Sequence, residues 1–138
     1  MQNMKIRVYY EDTDAGGVVY HANYFKFCER ARSELFFNSP LKPFSNECNF
    51  VVSSIESAKF LKPARLGDML VVKSSVVQIN RASVMLIQEV FRIADINGEC
   101  DEVKIFSSQI TLACLKNGKA TRMSDELVQF FKSLGPCL

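Results

Sequence analysis

Residues 10–24 read Tyr-Glu-Asp-Thr-Asp-Ala-Gly-Gly-Val-Val-Tyr-His-Ala-Asn-Tyr, and place Glu11, Asp12, Asp14, the pair Gly16-Gly17 and the single histidine, His21, in one short segment. A carboxylate of ordinary pKa, about 3.9, is ionised at neutral pH, so it can draw a proton from water or attack a carbonyl itself. Adjacent glycines open backbone conformations closed to other residues and let a ligand approach the main chain. Spacing alone also fits plainer roles. An Asp before Ala-Gly-Gly serves as a turn or cap residue, Glu11 as a solvated charge, and Asp12 as a turn-ordering carboxylate. By the same plain reading Tyr10 is a core residue and the lone histidine a structural one.

The flanking elements show what would hold this segment. Over residues 4–10, Ile6, Val8 and Tyr10 alternate with Lys5 and Arg7, the period of a half-buried strand. Over residues 22–37, Tyr24, Phe27, Cys28, Ala31 and Leu35 recur at helical spacing, with Glu29, Arg30, Arg32 and Glu34 opposite. Asn38, Ser39, Pro40 and Pro43 end that helix. Its first-turn N–H groups and positive dipole end would face any oxygen gaining negative charge.

Four long strands are predicted at residues 50–61, 69–78, 83–94 and 103–115, rich in Val, Ile, Phe, Ser and Thr. Turn chemistry at Arg65-Leu66-Gly67-Asp68, Asn80-Arg81 and Asn97-Gly98 predicts consecutive antiparallel pairing. Asn117-Gly118 closes the last strand. Ser124, Asp125 and Glu126 can then cap a short helix carrying Leu127, Val128, Phe130, Phe131 and Leu134. The helix's apolar stripe needs a curved sheet to cover it, which gives a single α+β domain.

With 138 residues, 48% hydrophobic and 23% charged, the chain can bury a core without staples. A net charge of +2 with no run of like charges excludes the electrostatic footprint of a nucleic-acid binder. Cys28, Cys48, Cys100, Cys114 and Cys137 are odd in number and widely spaced, which points to reduced thiols and to neither a disulfide framework nor a metal site. The N-terminal residues hold no apolar stretch of signal-peptide or membrane-span length, so a cytoplasmic protein without membrane insertion is expected. Walker loop, dinucleotide fingerprint and G-x-S-x-G elbow are all missing from the sequence.

The run Tyr9-Tyr10-Glu11-Asp12-Thr13-Asp14-Ala15-Gly16-Gly17-Val18-Val19-Tyr20-His21-Ala22-Asn23-Tyr24, continuing to Glu29-Arg30-Ala31-Arg32, resembles the signature of the 4-hydroxybenzoyl-CoA thioesterase family. The likeness is closer still to its Tol-Pal-associated, YbgC-like branch of acyl-CoA thioesterases. The resemblance implies a hotdog fold, in which a long central helix is wrapped by a five-stranded antiparallel sheet, here with a short C-terminal helix added. It also implies a homodimer or homotetramer with active sites at subunit interfaces, and a role near membrane-lipid metabolism. Asp14 is the implied catalytic carboxylate, the backbone N–H near His21 the implied carbonyl contact, and Tyr10 and His21 the accompanying side chains.

Thioester hydrolysis suits such a site. A thiol leaves with a pKa of about 8.5 against 15.7 for water, so activated water and an oxyanion contact suffice and no Ser-His-Asp triad is needed. No cofactor is implied beyond the CoA of an acyl-CoA substrate, and acyl carrier protein is an alternative donor. Lys59, Lys62, Arg65 and Arg81 are the basic residues placed to meet CoA phosphates, Arg65 foremost because a guanidinium grips phosphate bidentately. Two other functions share this frame: a dehydratase or hydratase using His21, and a non-catalytic acyl-carrier or protein-binding module.

Overall fold

The computed structural model describes residues 3–41 and 48–135; Pro43 and Cys137 lie outside the described residues. The elements are β1 (Lys5–Arg7), a 3-10 turn (Tyr10–Asp12), α1 (His21–Phe37), β2 (Asn49–Phe60), β3 (Met69–Ile79), β4 (Ser83–Asp95), β5 (Gly98–Lys116), β6 (Lys119–Ala120) and α2 (Asp125–Ser133). The sheet is antiparallel in the order β1-β3-β4-β5-β2, and the two-residue β6 adds to β5. This is the α+β arrangement expected, with β6 as an extra strand.

Among the four long strands, consecutive pairing holds only for β3, β4 and β5. β2 pairs with β5, in the register Phe60↔Phe106 and Ile55↔Ile110, and β1 takes the place beside β3. The reason lies in residues 61–68, whose turn chemistry suggested a hairpin. They form a strap that crosses from one edge of the sheet to the other side, a span that two-residue hairpin loops do not make.

On β4 the alternation is clean: Val84, Leu86, Gln88 and Val90 are buried and their neighbours are not. α1 lays Tyr24, Phe27, Cys28 and Ala31 on this inner face, with Phe36 taking the last core position. Leu35 is half-buried instead, one residue off the predicted stripe. Arg32 also leaves the solvated face: its Nη1 donates to Gln88 Oε1 at 3.1 Å, and burial lowers its pKa. Gln88 in turn donates to Cys28 O and Ser74 Oγ, both at 3.0 Å, so the one amide in the inner row is satisfied. Desolvation pushes the Cys28 thiol up to about 12.

α2 closes the other end of the sheet. Ser124 Oγ accepts from Leu127 N, Asp125 and Glu126 occupy the first turn, and Leu127 and Phe131 join Phe36, Leu86 and Leu112 in a second core cluster. Cys48 and Cys114 are joined as a disulfide in this cluster, with Cα atoms 5.9 Å apart, which corrects the expectation of reduced thiols throughout. They are 66 residues apart in sequence, and only the pairing of β2 with β5 makes them neighbours.

The two Asn-Gly hairpins differ in build. At Asn117-Gly118 both residues have positive φ, 53° and 77°, as the predicted turn requires. Between β4 and β5 the loop is Ile96-Asn97, and only Gly98, φ 122°, is positive. No helix among the described residues is long and apolar enough to cross a membrane.

Candidate active site

The chain leaves β1 at Arg7 and turns, so Val8 is buried but Tyr10 is 80% exposed and not a core residue. The 3-10 turn that follows is built on Asp12, whose carboxylate is buried. It accepts from Tyr9 N at 2.9 Å and from Asn23 Nδ2 at 3.0 Å. The Asp12 carbonyl accepts from Tyr20 N at 2.9 Å. One residue therefore ties the start of the segment, its end and the first turn of α1 together.

Residues 13–19 form a tight hairpin between these anchors, with Thr13 bridged to Val19 and Asp14 N donating to Val18 O at 2.9 Å. Asp14 stands at its tip. Its carbonyl accepts from Gly17 N at 3.0 Å and its Oδ1 from Gly16 N at 2.8 Å, so the carboxylate is oriented by the loop's own backbone. Both glycines suit this arrangement. A Cβ on Gly16 would sit 3.2 Å from Asp14 Oδ1, and Gly17 has a φ of 80°. Asp14, Ala15, Gly16 and Gly17 are all exposed.

The hairpin delivers the chain to α1. Tyr20 is the N-cap residue, extended and without a side-chain cap, so no side chain covers the first-turn N–H groups. His21 begins the helix with its ring exposed, 4.5 Å from the Tyr20 ring and 6.2 Å from Phe60. Asp14 thus sits in the turn of the hairpin, and His21 follows its foot, where α1 begins.

The strap of residues 61–68 supports the hairpin from the other side. Val18 is bridged to Arg65, Val19 N donates to Ala64 O at 2.8 Å, and Ala64 N donates to the Tyr24 hydroxyl at 3.2 Å. Buried Asp68 accepts from Arg65 N at 2.9 Å and pairs with Arg92 at 3.7 Å. Leu61 N and Lys62 N both donate to Ile105 O.

The basic residues divide accordingly. Arg65 lies beside the hairpin, and Lys59 and Lys62 are exposed where β2 runs into the strap. Arg81 is in the β3–β4 turn, where its carbonyl accepts from Met123 N, a full length of β3 away and so roughly 30 Å from the strap. One chain does not bring it to Asp14. Asn23, Tyr24, Phe60, Asp68 and Arg92 were not assigned to the site from sequence. Asn23 and Tyr24 lie inside the signature run, but Asp68 and Arg92 meet only through the β3–β4 pairing. Among the described residues no cluster of three or more His, Cys, Asp or Glu could hold a metal.

Residues 16–97 match the Thioesterase superfamily. The acyl-CoA thioesterase YbgC of Helicobacter pylori is 41% identical over 132 residues, covering 95% of this chain and 97% of that protein. The YbgC of Haemophilus influenzae is 35% identical over 118 residues, covering 83% and 80%. A crystal structure of a 4-hydroxybenzoyl-CoA thioesterase mutant complexed with 4-hydroxybenzoyl-CoA superposes with a TM-score of 0.81 at 18% identity, over 94% of this chain and 96% of that one. That last likeness is one of fold, the helix-wrapping hotdog sheet. Signature, fold and relatives agree, and the chain belongs to the thioesterase superfamily as a thioester hydrolase.

Proposed function

We propose that this protein hydrolyses acyl-CoA thioesters to free acid and CoA, with Asp14 as the catalytic carboxylate. The observation that carries the reading is the hairpin of residues 13–19, which holds an exposed, oriented carboxylate and leads the chain directly into the uncapped N-terminus of α1. The thioester carbonyl would point its oxygen at the N–H groups near His21, where the helix dipole favours developing negative charge. Asp14 then either deprotonates a water that attacks the carbonyl carbon, or attacks that carbon itself; CoA departs as thiolate, and in the second case water then hydrolyses the Asp14 mixed anhydride to release the acid. Gly16 and Gly17 let the substrate lie against the loop. The exposed Tyr10 hydroxyl and His21 ring are the proposed polar contacts to the reacting group. Lys59, Lys62 and Arg65 are the proposed contacts for the CoA phosphates, and Arg81 is dropped from that set for a single chain.

The working unit in this reading is a homo-oligomer. β2 is an edge strand of the sheet, and Val51, Val52 and Ile55 are each more than 40% exposed on it. An edge of that length with apolar side chains needs cover, and the same strand of a second copy would extend the sheet across it.

The test is Asp14→Asn with an acyl-CoA panel and a thiol reagent. Loss of the carboxylate should slow turnover about 10²–10⁴-fold with little change in shape. Near-wild-type hydrolysis by the purified variant overturns the assignment. His21→Ala keeps the backbone N–H, so it should cost less than Asp14→Asn.

A further inference from the structure

Tyr24 is 4% exposed, so its hydroxyl does not reach a substrate, yet it sits at the junction of the three segments that build the site. Its ring is fixed, stacked on Phe106 at 5.0 Å and meeting Phe27 and Phe60 edge-on. Its hydroxyl accepts from Ala64 N, and Ala64, fully buried, passes its carbonyl to Val19 N. The next pair along, Val18 and Arg65, is bridged as well. Helix, strap and hairpin are therefore joined through the two main-chain groups of one residue. Burial raises the Tyr24 pKa, so the phenol stays neutral and serves as a fixed hydrogen-bonding group.

The far side of the strap has its own anchors, Asp68 on Arg65 N and Arg92 on Pro63 O. These fix the strap to the sheet. Among the described residues, the bond to Tyr24 is the one hydrogen bond that ties Ala64 to α1. We propose that Tyr24 is a positioning residue for hydrolysis: through Ala64 its hydroxyl sets the placing of the Asp14 hairpin against the start of α1. The inference rests on the reading of Asp14 as the catalytic carboxylate. Productive geometry tolerates about 0.5 Å, and a shift of about 1 Å can cost 10²-fold in rate. A phenylalanine at 24 would keep the stacking and leave the Ala64 N–H without an acceptor in the core, which loosens the strap against α1 and shifts the hairpin that Ala64 O holds.

The experiment combines Tyr24→Phe, Asp14→Asn and the double variant, with kcat and KM on one acyl-CoA and the fold followed by circular dichroism. Tyr24→Phe should lower kcat about ten- to a hundredfold with KM within about twofold and the fold intact. The double variant should be as slow as Asp14→Asn alone, because a hairpin without its carboxylate has nothing left to position. Wild-type kcat in Tyr24→Phe while Asp14→Asn is impaired overturns the inference alone, and so do losses that multiply in the double variant. Wild-type turnover by Asp14→Asn overturns the underlying reading instead. In the wild-type enzyme, hydrogen exchange at Ala64 and Val19 should be slow. Fast exchange at Ala64 would also overturn the proposal, whether or not the variant folds.

Discussion

Asp12→Ala should separate the anchoring of the active segment from its chemistry. The Asp12 carboxylate has two donors, Tyr9 N and the buried Asn23 amide, and alanine leaves both without an acceptor. A buried unsatisfied donor costs about 1–3 kcal/mol; Tyr9 N is partly open to water and sits at the low end, so about 2–4 kcal/mol in total is expected. For a domain of this size that corresponds to a fall in Tm of about 6–16 °C. Asp12→Asn should cost only about 1 kcal/mol, because its oxygen can accept from Tyr9 N while its amide donates to a flipped Asn23. Urea or thermal unfolding at one fixed protein concentration measures both, since assembly would otherwise shift apparent stability. An alanine variant within 1 kcal/mol of wild type, or an asparagine variant as damaged as alanine, refutes the argument.

Ile55→Lys places a charge on the unpaired edge of β2 and, in a symmetric pairing, sets two like charges close together. The dissociation constant of the oligomer should rise about 10²-fold or more, seen by sedimentation, and unchanged assembly would mean that β2 is not the interface. Iodoacetamide at pH 8 should label exposed Cys100 in the native protein and leave Cys28 unmodified, because Cys28 is buried and its pKa is near 12. Peptide mass mapping that finds Cys28 alkylated first would contradict the packing of α1 on the sheet.

Strand positions were legible in the sequence because alternation on a one-sided sheet is a local property, and β4 shows it residue by residue. The order of strands was not. Val51, Val52 and Ile55 are residue types that suit a central strand as well as an edge, yet β2 is an edge whose side chains stay exposed, and no local pattern separates the two. Tyr10 fails for a related reason: its period-two position after Ile6 and Val8 counts only while the strand continues, and Asp12 ends it by capturing Tyr9 N. The disulfide and the Asp68–Arg92 pair depend on which strands adjoin, so they were invisible for the same cause. The site segment was legible as a motif, and Asp12 was correctly seen as ordering the turn. What could not be read was how its backbone is braced, since Ala64 carries no side-chain signal.

The distribution of buried polar groups shows where the fold accepts cost for geometry. At the α2 end the described core is almost wholly apolar, with Phe36, Leu86, Leu112 and Phe131 packed about the Cys48–Cys114 bridge. Buried Asp12, Asn23 and Asp68 instead gather around the hairpin and strap. Burying such groups costs several kcal/mol unless they are hydrogen-bonded, and a packed apolar substitute would serve stability as well or better. Each of the three has a partner in the active segment, the helix start or the strap, and Asp68 pairs with Arg92 of β4 as well. Directional bonds fix where an atom sits, while apolar contacts fix only that it is covered. In its proposed role Asp14 must meet a carbonyl within a fraction of an ångström, which needs the first kind of support, and in this chain such support is concentrated in the segment and strap around it.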